Sequence, residues 1–553
     1  MKLLLLQPPI QDFYDTDVRL QPIGLCYLKA AVQKHLSDVT VKVVDLHHGW
    51  GKQTIPIPKE LSYLKDYYPY KDKSPFCGFY QYFHFGASDE QIQKIIQEEA
   101  PDVVGISSLF SPYYREVLHT AKLVKQVANV PIIVGGSHVS ADPLSLLQDE
   151  HVDFVICGEG ERPLVEFLRA FILKGMNTQI KWSHIPNLGY QKGNEYFINI
   201  ERENYPIQDI PVPDLSDFAF QDYAFARKPM AFMVTSRGCP HRCSFCSVHA
   251  TFGYKYRKRS VDDIMQEIQM RFDQGFRVIN FEDDNLTYDK DAMKDLCNRI
   301  IEQFADTDIE FLAMNGLSYM SLDDDILELM QKAHFTHLNV SLVTTDKDVK
   351  IRNKRPHTLT KYIDIITKAA DLNFKILSSQ ILGLPAEPLE SMIDTLTVAA
   401  ELPVLIGASM FYLTPNSPIA KEMKYYPTDE DIIKSRLSAM AIETEHVSRD
   451  DLYTLFITTR ILDFIKSLPV DQFEDRVTIQ DVIKGNKLLT PYDDRTKIGL
   501  ELLGDLLNDG VLYAATKQGK KPLKRFKIEL FNKIWSCLEK ITTQNQLTIY
   551  KEA

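Results

Sequence analysis

Residues 236–246 read Ser-Arg-Gly-Cys-Pro-His-Arg-Cys-Ser-Phe-Cys and place three cysteines, Cys239, Cys243 and Cys246, within eight residues. The spacing is C-x3-C-x2-C, and it directly follows an apolar run at residues 231–235 that is typical of a buried strand. Clustered thiols that stay reduced are available as metal ligands. The stretch therefore predicts a metal centre in a loop at the end of a strand.

Two kinds of metal centre suit three clustered cysteines. A structural zinc site has four protein ligands, and a fourth would have to come from His241 or His249 to give a Cys3His site. A cubane iron–sulfur cluster held by three thiolates leaves one iron open to a cofactor or a substrate. The spacing favours the iron–sulfur cluster, because zinc sites usually pair two C-x2-C knuckles and this loop has one.

The cysteine loop lies in a series of alternating strand-like and helical patterns. Six apolar runs are typical of strands: 231–235, 278–281, 309–314, 338–342, 374–380 and 405–413. Helical spacing occurs between them, for example at 261–272 and 324–333. Six βα units predict a partial (β/α)6 barrel of the TIM kind, with its site at the carboxyl ends of the strands.

The first part of the chain shows a separate alternation of strands and helices. Five short apolar runs predict strands: 3–6, 39–44, 103–107, 131–134 and 154–156. Ser88 is expected to cap one of the intervening helices, and residues 114–130 are expected to form another. The pattern predicts an α/β domain with a doubly wound, flavodoxin-like parallel sheet, which binds ligands beyond the carboxyl ends of its strands.

Small and polar residues follow three of these predicted strands. They are Ser107 and Leu109 at the end of the third strand, Gly135 and Gly136 at the end of the fourth, and Gly158 and Glu159 at the end of the fifth. Ordinary turns need such residues too, but glycine also lets the backbone approach a ligand closely. Three such loops on one sheet edge favour a large ligand there.

The chain is too long for one core, and composition changes mark its segments. Residues 204–217 are rich in proline, which predicts a linker. We expect domains at 1–200 and 226–425, a linker at 201–225 and a mainly helical domain at 426–553. Residues 49–87 form an aromatic insertion that either caps a ligand or packs as a satellite cluster, and the basic residues of 517–527 are interpreted as a solvated face.

The overall charge and cysteine content exclude several classes of protein. The 553 residues carry a net charge of -12, which disfavours nucleic-acid binding. Eight scattered cysteines do not form a disulfide framework, and no apolar run reaches the roughly 18 residues that span a bilayer. We therefore expect a cytoplasmic protein without a membrane span.

The cysteine loop and the barrel pattern together resemble the radical S-adenosylmethionine (SAM) superfamily. In that family the three cysteines hold a [4Fe-4S] cluster whose open iron binds SAM. The resemblance implies that SAM also contacts Phe245, before the third cysteine, and Glu282 and Asp283, after the second strand. It further implies contacts from Ser341 on the fourth strand and from Gln380 and Gly383, where Ala386 replaces a glycine of the family pattern.

The N-terminal domain resembles the cobalamin-binding domain of B12-dependent radical SAM enzymes. The resemblance implies that Ser107, Leu109, Gly135, Gly136, Gly158 and Glu159 contact cobalamin. Many cobalamin domains also carry a cobalt-binding histidine after the first strand, whereas this chain reads Gln-Pro-Pro-Ile-Gln-Asp at 7–12. His47 and His48 follow the second strand and are interpreted as loop residues, so the resemblance implies cobalamin without a histidine ligand.

The resemblance implies an enzyme that methylates an unactivated carbon of a small molecule, by way of a 5′-deoxyadenosyl radical and methylated cobalamin. A low-potential electron donor such as flavodoxin or ferredoxin would be its protein partner. Three alternatives remain at this point: an oxidative cyclase like the anaerobic porphyrin cyclases, a methylthiotransferase and a non-catalytic cobalamin sensor. Methylthiotransferases have three further cysteines, and Cys26, Cys77 and Cys157 are too unevenly spaced to match them.

Overall fold

The chain folds into two units, each built from several separate segments. The first unit contains Met1–Pro56, Tyr82–Asp284 and Leu413–Ser435, and the second contains Ile57–Gln81, Asn285–Tyr412 and Arg436–Ala553. The structure, a computed structural model, describes residues 1–14, 16, 21–76, 78–174, 181–199, 204–355, 357–471 and 476–552. The units do not follow the predicted domain boundaries, which stay a prediction.

The N-terminal part of the chain alternates strands and helices. Its strands are β1 (Lys2–Gln7), β2 (Ile10–Asp12), β3 (Thr40–Asp45), β4 (Lys52–Ile55), β5 (Tyr82–Phe85), β6 (Val103–Ser107), β7 (Ile132–Gly135), β8 (Phe154–Ile156), β9 (Leu188–Lys192) and β10 (Glu195–Ile198). Its helices are α1 (Ile23–His35), α2 (Asp89–Glu99), α3 (Tyr114–Val127), α4 (Ser137–Ala141), α5 (Leu144–Leu147) and α6 (Glu161–Lys174). All five predicted strands are present, and Ser88 caps α2 through a capping box with Gln91.

One large sheet organises the first unit. Its strand order is β10-β9-β8-β7-β6-β1-β3, and the five strands from β3 to β8 run parallel. Leu3 and Leu5 on one face pack with Val32 of α1 and Phe167 of α6. The order confirms the flavodoxin-like prediction and places the topological switch point between β1 and β6.

The next segment contains the cysteine loop. Its elements are β11 (Ala224–Phe225), β12 (Lys228–Met233), β13 (Ser236–Arg237), α7 (Val248–Phe252), β14 (Arg257–Lys258), α8 (Val261–Asp273) and β15 (Val278–Phe281). Strands β12 and β15 are parallel, and β13 pairs antiparallel with β14. The two short strands on either side of the cysteines therefore pair with each other and close the base of the loop.

The proline-rich segment predicted as a linker is held down within the first unit. The ammonium group of Lys29, on α1, donates to Asp217 Oδ2 across 2.7 Å. Arg271 Nη2 donates to the carbonyl oxygen of Pro213 across 2.6 Å, and Tyr223 Oη donates to Asp45 Oδ2 across 2.6 Å. Residues 201–203 of the predicted linker lie outside the described residues.

The second unit continues the βα series. Its next elements are α9 (Lys290–Phe304), β16 (Glu310–Leu312), α10 (Asp324–Lys332), β17 (His337–Val343), α11 (Lys347–Arg352), α12 (Leu359–Asp371), β18 (Lys375–Leu382), α13 (Leu389–Glu401) and β19 (Leu405–Met410). Strands β17, β18 and β19 form a parallel sheet. The six strands β12, β15, β16, β17, β18 and β19 lie where the sequence predicts the six barrel strands.

The remainder is helical with short strands. Helices α14 (Pro418–Glu422) and α15 (Asp429–Ile433) belong to the first unit. They are followed by α16 (Arg449–Lys466), β20 (Val477–Thr478), α17 (Ile479–Ile483), α18 (Asp494–Asp509), β21 (Tyr513–Thr516), β22 (Gly519–Pro522), α19 (Ile528–Cys537), β23 (Lys540–Thr542) and β24 (Thr548–Tyr550). Short 3-10 helices occur at Lys59–Asp66, Ser111–Tyr113, Trp182–His184, Ile207–Asp209, Tyr319–Ser321 and Leu437–Ala439. Among the described residues, no helix is long and apolar enough to span a membrane.

The aromatic insertion is divided between the units. Within the second unit, Tyr67 and Tyr68 pack edge-on against Tyr453 of α16, and Phe79 stacks on Phe456. Its last strand, β5, belongs to the sheet β2-β5-β4 of the first unit. Of the two readings of the insertion, the contacts of residues 57–81 support the packed satellite cluster.

Candidate active site

The cysteine loop begins at a constrained glycine. Gly238 has a φ of +81°, and a Cβ there would lie 2.5 Å from the carbonyl oxygen of Lys255, so only glycine fits. Cys243 is buried, and Cys239 and Cys246 are partly buried. Farther along the loop, the carbonyl oxygen of Ser244 accepts from Ile419 N across 2.8 Å, which ties the loop to α14.

The carboxylate of Asp283 supports the start of the cysteine loop. Its Oδ1 accepts from Thr235 Oγ1 across 2.7 Å and from Ser236 Oγ across 2.5 Å, and its Oδ2 accepts from Thr235 N across 3.1 Å. Asp284 Oδ2 accepts from Gly238 N across 3.1 Å. The acidic residues after β15 therefore also position the loop, a role that the sequence analysis did not assign to them.

Glu282 and Asp284 are partly buried, whereas Asp283 between them is buried. Burial, and next the charge of Asp283, raise the pKa of Glu282 to about 7. Burial also raises the pKa of Asp284 to about 6. A carboxylate in such a setting gains most from a cationic partner, and the ammonium group of SAM is a partner of that chemistry.

The donor set of the loop fits an iron–sulfur cluster. Burial raises the pKa of the Cys246 thiol to about 12, so a positively charged metal centre is what favours its thiolate. Among the described residues, no three His, Cys, Asp or Glu side chains converge on a single metal ion. In a cubane cluster each cysteine binds a different iron, so the three cysteine sulfur atoms lie farther apart than the ligands of a single metal ion.

The carboxyl ends of β6, β7 and β8 form a continuous edge. Ser107 pairs with Gly135, and Gly135 pairs with Ile156, in the parallel register. A Cβ on Gly135 would approach only the Ile156 carbonyl oxygen, at 3.8 Å, so space remains above it. Leu109 is 39% exposed and its neighbour Phe110 is 41% exposed, which gives this edge an apolar surface. A large, partly apolar ligand such as cobalamin fits this edge.

Gly136 is needed for the shape of the edge itself. Its φ is +122°, and a Cβ there would lie 2.4 Å from the carbonyl oxygen of Ser108. That same carbonyl accepts from His138 N across 3.1 Å. The loop after β7 is therefore packed directly on the loop after β6.

His138 is a residue of this edge that the sequence analysis did not single out. Its imidazole is buried between two hydroxyl groups, with Nδ1 3.0 Å from Ser111 Oγ and Nε2 3.1 Å from Ser145 Oγ. Burial lowers the pKa of His138 to about 4, so the ring is neutral near pH 7. The only sequence signal was its position directly after Gly135, Gly136 and Ser137.

His47 and His48 both lie in the loop after β3, as interpreted from the sequence. His47 Nδ1 lies 3.3 Å from the Phe85 carbonyl oxygen. His48 Nε2 lies 2.7 Å from the Asp222 carbonyl oxygen, and its ring stacks on Tyr223. Cys26 lies in α1 and Cys157 directly after β8, both buried, while Cys77 lies outside the described residues.

The segment after the cysteines packs against the edge formed by the carboxyl ends of β6, β7 and β8, where cobalamin is predicted to bind. Helix α7 contacts α4, which follows Gly136. A Cβ on Gly158 would lie 3.4 Å from the carbonyl oxygen of Thr251 in α7. The structure therefore brings the predicted cluster loop and two of the predicted cobalamin loops together within the first unit.

Glu159 lies among cations at this contact. Its side chain is buried and accepts from Arg237 Nη1 across 3.1 Å and from Tyr205 N across 3.2 Å, and it also pairs with Arg257. Glu161 Oε1 accepts from Arg237 Nη2 across 2.5 Å. The charge of Arg237 overcomes the effect of burial and lowers the pKa of Glu161.

The other predicted SAM residues lie in the second unit. Ser341 is on the partly exposed face of β17 that also carries Asn339, whose Oδ1 accepts from Ser379 Oγ across 2.8 Å. Gln380 is on the opposite, buried face of β18, where its Nε2 donates to Ser378 Oγ across 2.7 Å. Its Oε1 has no hydrogen-bond partner among the described residues.

The chain turns sharply after β18. Gly383 has a φ of +85° and a Cβ there would approach Leu452 at 3.0 Å. Ala386, which replaces a glycine of the family pattern, has a φ of +57°. An alanine in this left-handed region costs roughly 1–2 kcal/mol.

Two family models match the chain at these sites. The B12 binding domain matches residues 80–168, and the radical SAM superfamily matches residues 233–399. The chain therefore carries a B12 binding domain and a radical SAM domain. The B12 binding match contains all six predicted cobalamin residues, and the radical SAM match contains all the predicted cluster and SAM residues.

Two relatives resemble this chain over much of its length. Cytidylyl-2-hydroxyethylphosphonate methyltransferase of Streptomyces wedmorensis is 26% identical over 414 residues, which are 69% of this chain and 73% of the relative. Anaerobic magnesium-protoporphyrin IX monomethyl ester cyclase of Cereibacter sphaeroides is 24% identical over 357 residues, which are 61% of this chain and 55% of the relative.

A solved structure shares the fold of this chain. The cobalamin-dependent SAM radical enzyme OxsB, with aqua-cobalamin and SAM bound, matches with a TM-score of 0.59 and 13% sequence identity. The match covers 92% of this chain and 71% of OxsB. At this identity the likeness shows the fold.

Proposed function

We propose that this enzyme transfers a methyl group from SAM, by way of cobalamin, to an unactivated carbon of a small molecule. The observation that carries the proposal is the contact of α7 with both glycine loops of the cobalamin edge, at Gly158 and through α4. Radical formation and methyl transfer need their cofactors close together, and this contact supports that arrangement. The methyltransferase relative of Streptomyces wedmorensis supports methylation as the outcome.

The bound cofactors would supply the reactive chemistry: a 5′-deoxyadenosyl radical from cluster and SAM, and a methyl carrier in cobalamin. Cys239, Cys243 and Cys246 would hold the cluster and leave one iron for SAM. Phe245, Glu282, Ser341 and Gly383 would contact SAM, with the Glu282 carboxylate facing its ammonium group. Asp283 and Gln380 are buried, which supports positioning of the cysteine loop and of β18 as their part in SAM binding.

The open sheet edge would bind cobalamin. Ser107, Leu109, Gly135, Gly136 and Gly158 provide small side chains, exposed backbone and an apolar rim. The loop after β1 provides no histidine, so cobalt would have no histidine ligand from the position that other cobalamin domains use. The chain's part is to bind and orient the cofactors and to exclude water.

The test is anaerobic reconstitution of the full chain with iron, sulfide and hydroxocobalamin, followed by turnover with SAM carrying a deuterated methyl group. The first substrate to test is cytidylyl-2-hydroxyethylphosphonate, the substrate class named for the relative. We expect a labelled methyl group in the product, with S-adenosylhomocysteine and 5′-deoxyadenosine formed together. Formation of 5′-deoxyadenosine without S-adenosylhomocysteine for every substrate tested would contradict methyl transfer and favour oxidative ring formation.

We also propose that an acidic electron-transfer protein, such as flavodoxin or ferredoxin, docks beside the cysteine loop. Exposed cations surround the loop: Arg242 within it, and Lys421 and Lys424 on and after α14, which the Ser244–Ile419 hydrogen bond holds against it. The chain carries a net charge of -12, so an acidic donor is repelled elsewhere. A reducing cytoplasm suits both this partner and the seven described cysteines, none of which forms a disulfide.

Charge reversal tests this docking surface. We expect Lys421→Glu with Lys424→Glu to slow cluster reduction by flavodoxin about tenfold at low salt, with no change in reduction by dithionite. Lys94→Glu on α2, whose side chain is 74% exposed, is the matched control. Equal slowing with both reductants, or no slowing with flavodoxin, would contradict the proposed surface.

A further inference from the structure

We propose that Arg237, Glu159, Glu161 and Arg257 form a buried positioning network that couples cobalamin binding to the geometry of the cluster loop. The inference rests on the proposed binding of both cofactors. It changes the role of Glu159 from a cobalamin contact, as expected from the sequence, to a residue that acts through Arg237 and Arg257.

Arg237 connects the two loops directly. It lies two residues before Cys239, and its two terminal nitrogens bond to different carboxylates, Glu159 Oε2 at 3.1 Å and Glu161 Oε1 at 2.5 Å. Glu159 lies in the loop after β8 and Glu161 is the first residue of α6. A displacement of that loop would therefore move the guanidinium group of Arg237, two residues before the first cluster cysteine.

Arg257 closes the network from the other arm of the β13–β14 hairpin. Its Nη1 donates to Glu159 Oε2 across 3.3 Å and to the Tyr205 carbonyl oxygen across 3.0 Å. Its partner in the hairpin register is Arg237. The two arginines on neighbouring strands thus share Glu159, so both arms of the hairpin that anchors the cysteine loop are held by one carboxylate.

The surroundings of Arg237 require a guanidinium group. Its carbon Cζ lies 5.5 Å from the ring centroid of Tyr27 and 5.7 Å from that of Phe252, the last residue of α7. A planar cation can contact aromatic rings and still reach two carboxylates with separate nitrogens. A lysine keeps the charge but has one nitrogen, so it cannot hold both carboxylates in the same arrangement.

Energetics favour a geometric role over a stabilising one. The side chains of Arg237, Glu159 and Glu161 are 7%, 2% and 4% exposed, so all three have lost most of their hydration. Buried ion pairs recover that loss only with good geometry, and apolar replacements are often equally stable. Such a network fixes the relative positions of the segments that carry its side chains.

The network lies next to both proposed cofactor loops. Gly158, next to Glu159, belongs to the proposed cobalamin edge, and Cys239 belongs to the proposed cluster. Any ligand that prefers one position of the loop after β8 will therefore bias the position of Cys239, and the reverse holds by linkage. We infer that cobalamin binds with different affinity to the cluster-loaded and cluster-free chain.

The test is a hydroxocobalamin titration, followed by absorbance, of the full chain with and without a reconstituted cluster. For the unmodified chain we expect the two dissociation constants to differ by at least about fivefold, the lower end of typical coupling. In Arg237→Lys we expect that ratio to fall close to 1. Arg162→Lys is the matched control, because Arg162 forms an exposed pair with Glu166 beside the network and should keep the original ratio.

A merely structural role gives a different result. If Arg237→Lys weakens both affinities or lowers the melting temperature but keeps their ratio, the coupling is contradicted, as it is by an unmodified chain whose two constants agree. Arg257→Lys, at the outer end of the network, serves if Arg237→Lys does not fold, with the same fall in ratio expected. Failure of the unmodified chain to bind cobalamin in either form would overturn the proposed function itself, so the two failures are distinguishable without any turnover.

Discussion

Thr235 and Asp283 join the ends of two parallel strands. Thr235 Oγ1 donates to Asp283 Oδ1 across 2.7 Å, and Thr235 N donates to Asp283 Oδ2 across 3.1 Å. Thr235 follows β12 and Asp283 follows β15, and the strands are neighbours in register. One carboxylate from the second strand thereby fixes the backbone that leads into the cysteine loop.

Replacing this carboxylate should loosen the loop. In Asp283→Asn one acceptor oxygen becomes an NH2 donor, so one oxygen remains where the carboxylate accepts from three donors on Thr235 and Ser236. We expect the free energy of unfolding to fall by about 1–3 kcal/mol, the usual effect of leaving a buried polar group unsatisfied. We also expect a lower iron content after reconstitution, measured by denaturation and by iron analysis on the same preparations.

Glu445→Gln is the control for the Asp283 prediction. The Glu445 side chain is 82% exposed, so its replacement should change neither stability nor iron content. An Asp283→Asn protein that matches the unmodified chain in both measurements would show that the contacts of Asp283 do not support the loop.

The three loop cysteines should be separable from the others by iron content. The unmodified chain is expected to hold about four iron atoms after reconstitution, and Cys239→Ala, Cys243→Ala or Cys246→Ala should lose most of them. Cys537→Ala is the control, since Cys537 is exposed on α19. Zinc in place of iron in the unmodified chain, lost in the same variants, would favour the Cys3His alternative instead.

Neighbouring glycines of the proposed cobalamin edge should respond differently to alanine. Gly135→Ala has room for its Cβ, so we expect unchanged stability but at least about a tenfold weaker affinity for hydroxocobalamin if the ligand lies over this residue. Gly136→Ala meets the Ser108 carbonyl oxygen and a strained φ, and should lose roughly 1–3 kcal/mol of stability. Full cobalamin affinity in a folded Gly135→Ala protein would remove this residue from the proposed site.

His138 should make stability depend on pH. Its pKa is about 4 in the folded chain and 6.5 when unperturbed, so between these values the unfolded chain binds the extra proton. Its contribution is complete above pH 6.5 and is lost as pH falls towards 4, by about 1.4 kcal/mol per pH unit at most. Urea denaturation at several pH values measures this loss.

His138→Gln isolates that contribution. Glutamine keeps a donor and an acceptor for Ser111 and Ser145 but does not titrate in this range. We expect the stability of this variant to fall less steeply than that of the unmodified chain between pH 6.5 and 4. Parallel curves for the two proteins would show that His138 is protonated in the folded chain as easily as in the unfolded one.

Local patterns in the sequence were sufficient for the type and order of the main elements. The apolar runs of β1 and β6 were recognisable because both strands are buried on two faces. The prediction for the first barrel strand was displaced: the predicted range is 231–235, and the strand lies at Lys228–Met233. Its first two residues, Lys228 and Pro229, are not part of an apolar run, so the start of the strand could not be recognised. The C-terminal region was predicted as mainly helical, and its five short strands carry too few residues to show a period.

Long-range partners were not predictable. Residues 57–81 pack on α16 through Tyr67, Tyr68 and Phe79. The two segments are far apart in sequence: Tyr67 donates a hydrogen bond to Asp450, 383 residues away. Residues 413–435 return to the first unit, where Arg115 Nε donates to Asp429 Oδ1 across 3.3 Å. Neither segment has a composition that identifies its partner, because an aromatic or a charged residue accepts many partners equally well.

The sequence by itself determined the C-x3-C-x2-C loop, the βα series around it and the glycine loops of the flavodoxin-like sheet, since these depend on spacing and local backbone preference. Only the tertiary structure decided that Glu159 and Glu161 bond to Arg237, 78 and 76 residues away, and that Asp283 supports Thr235. Buried charges and hydrogen-bonding groups must find partners wherever the fold places them, and that choice depends on three-dimensional proximity, which local sequence does not encode.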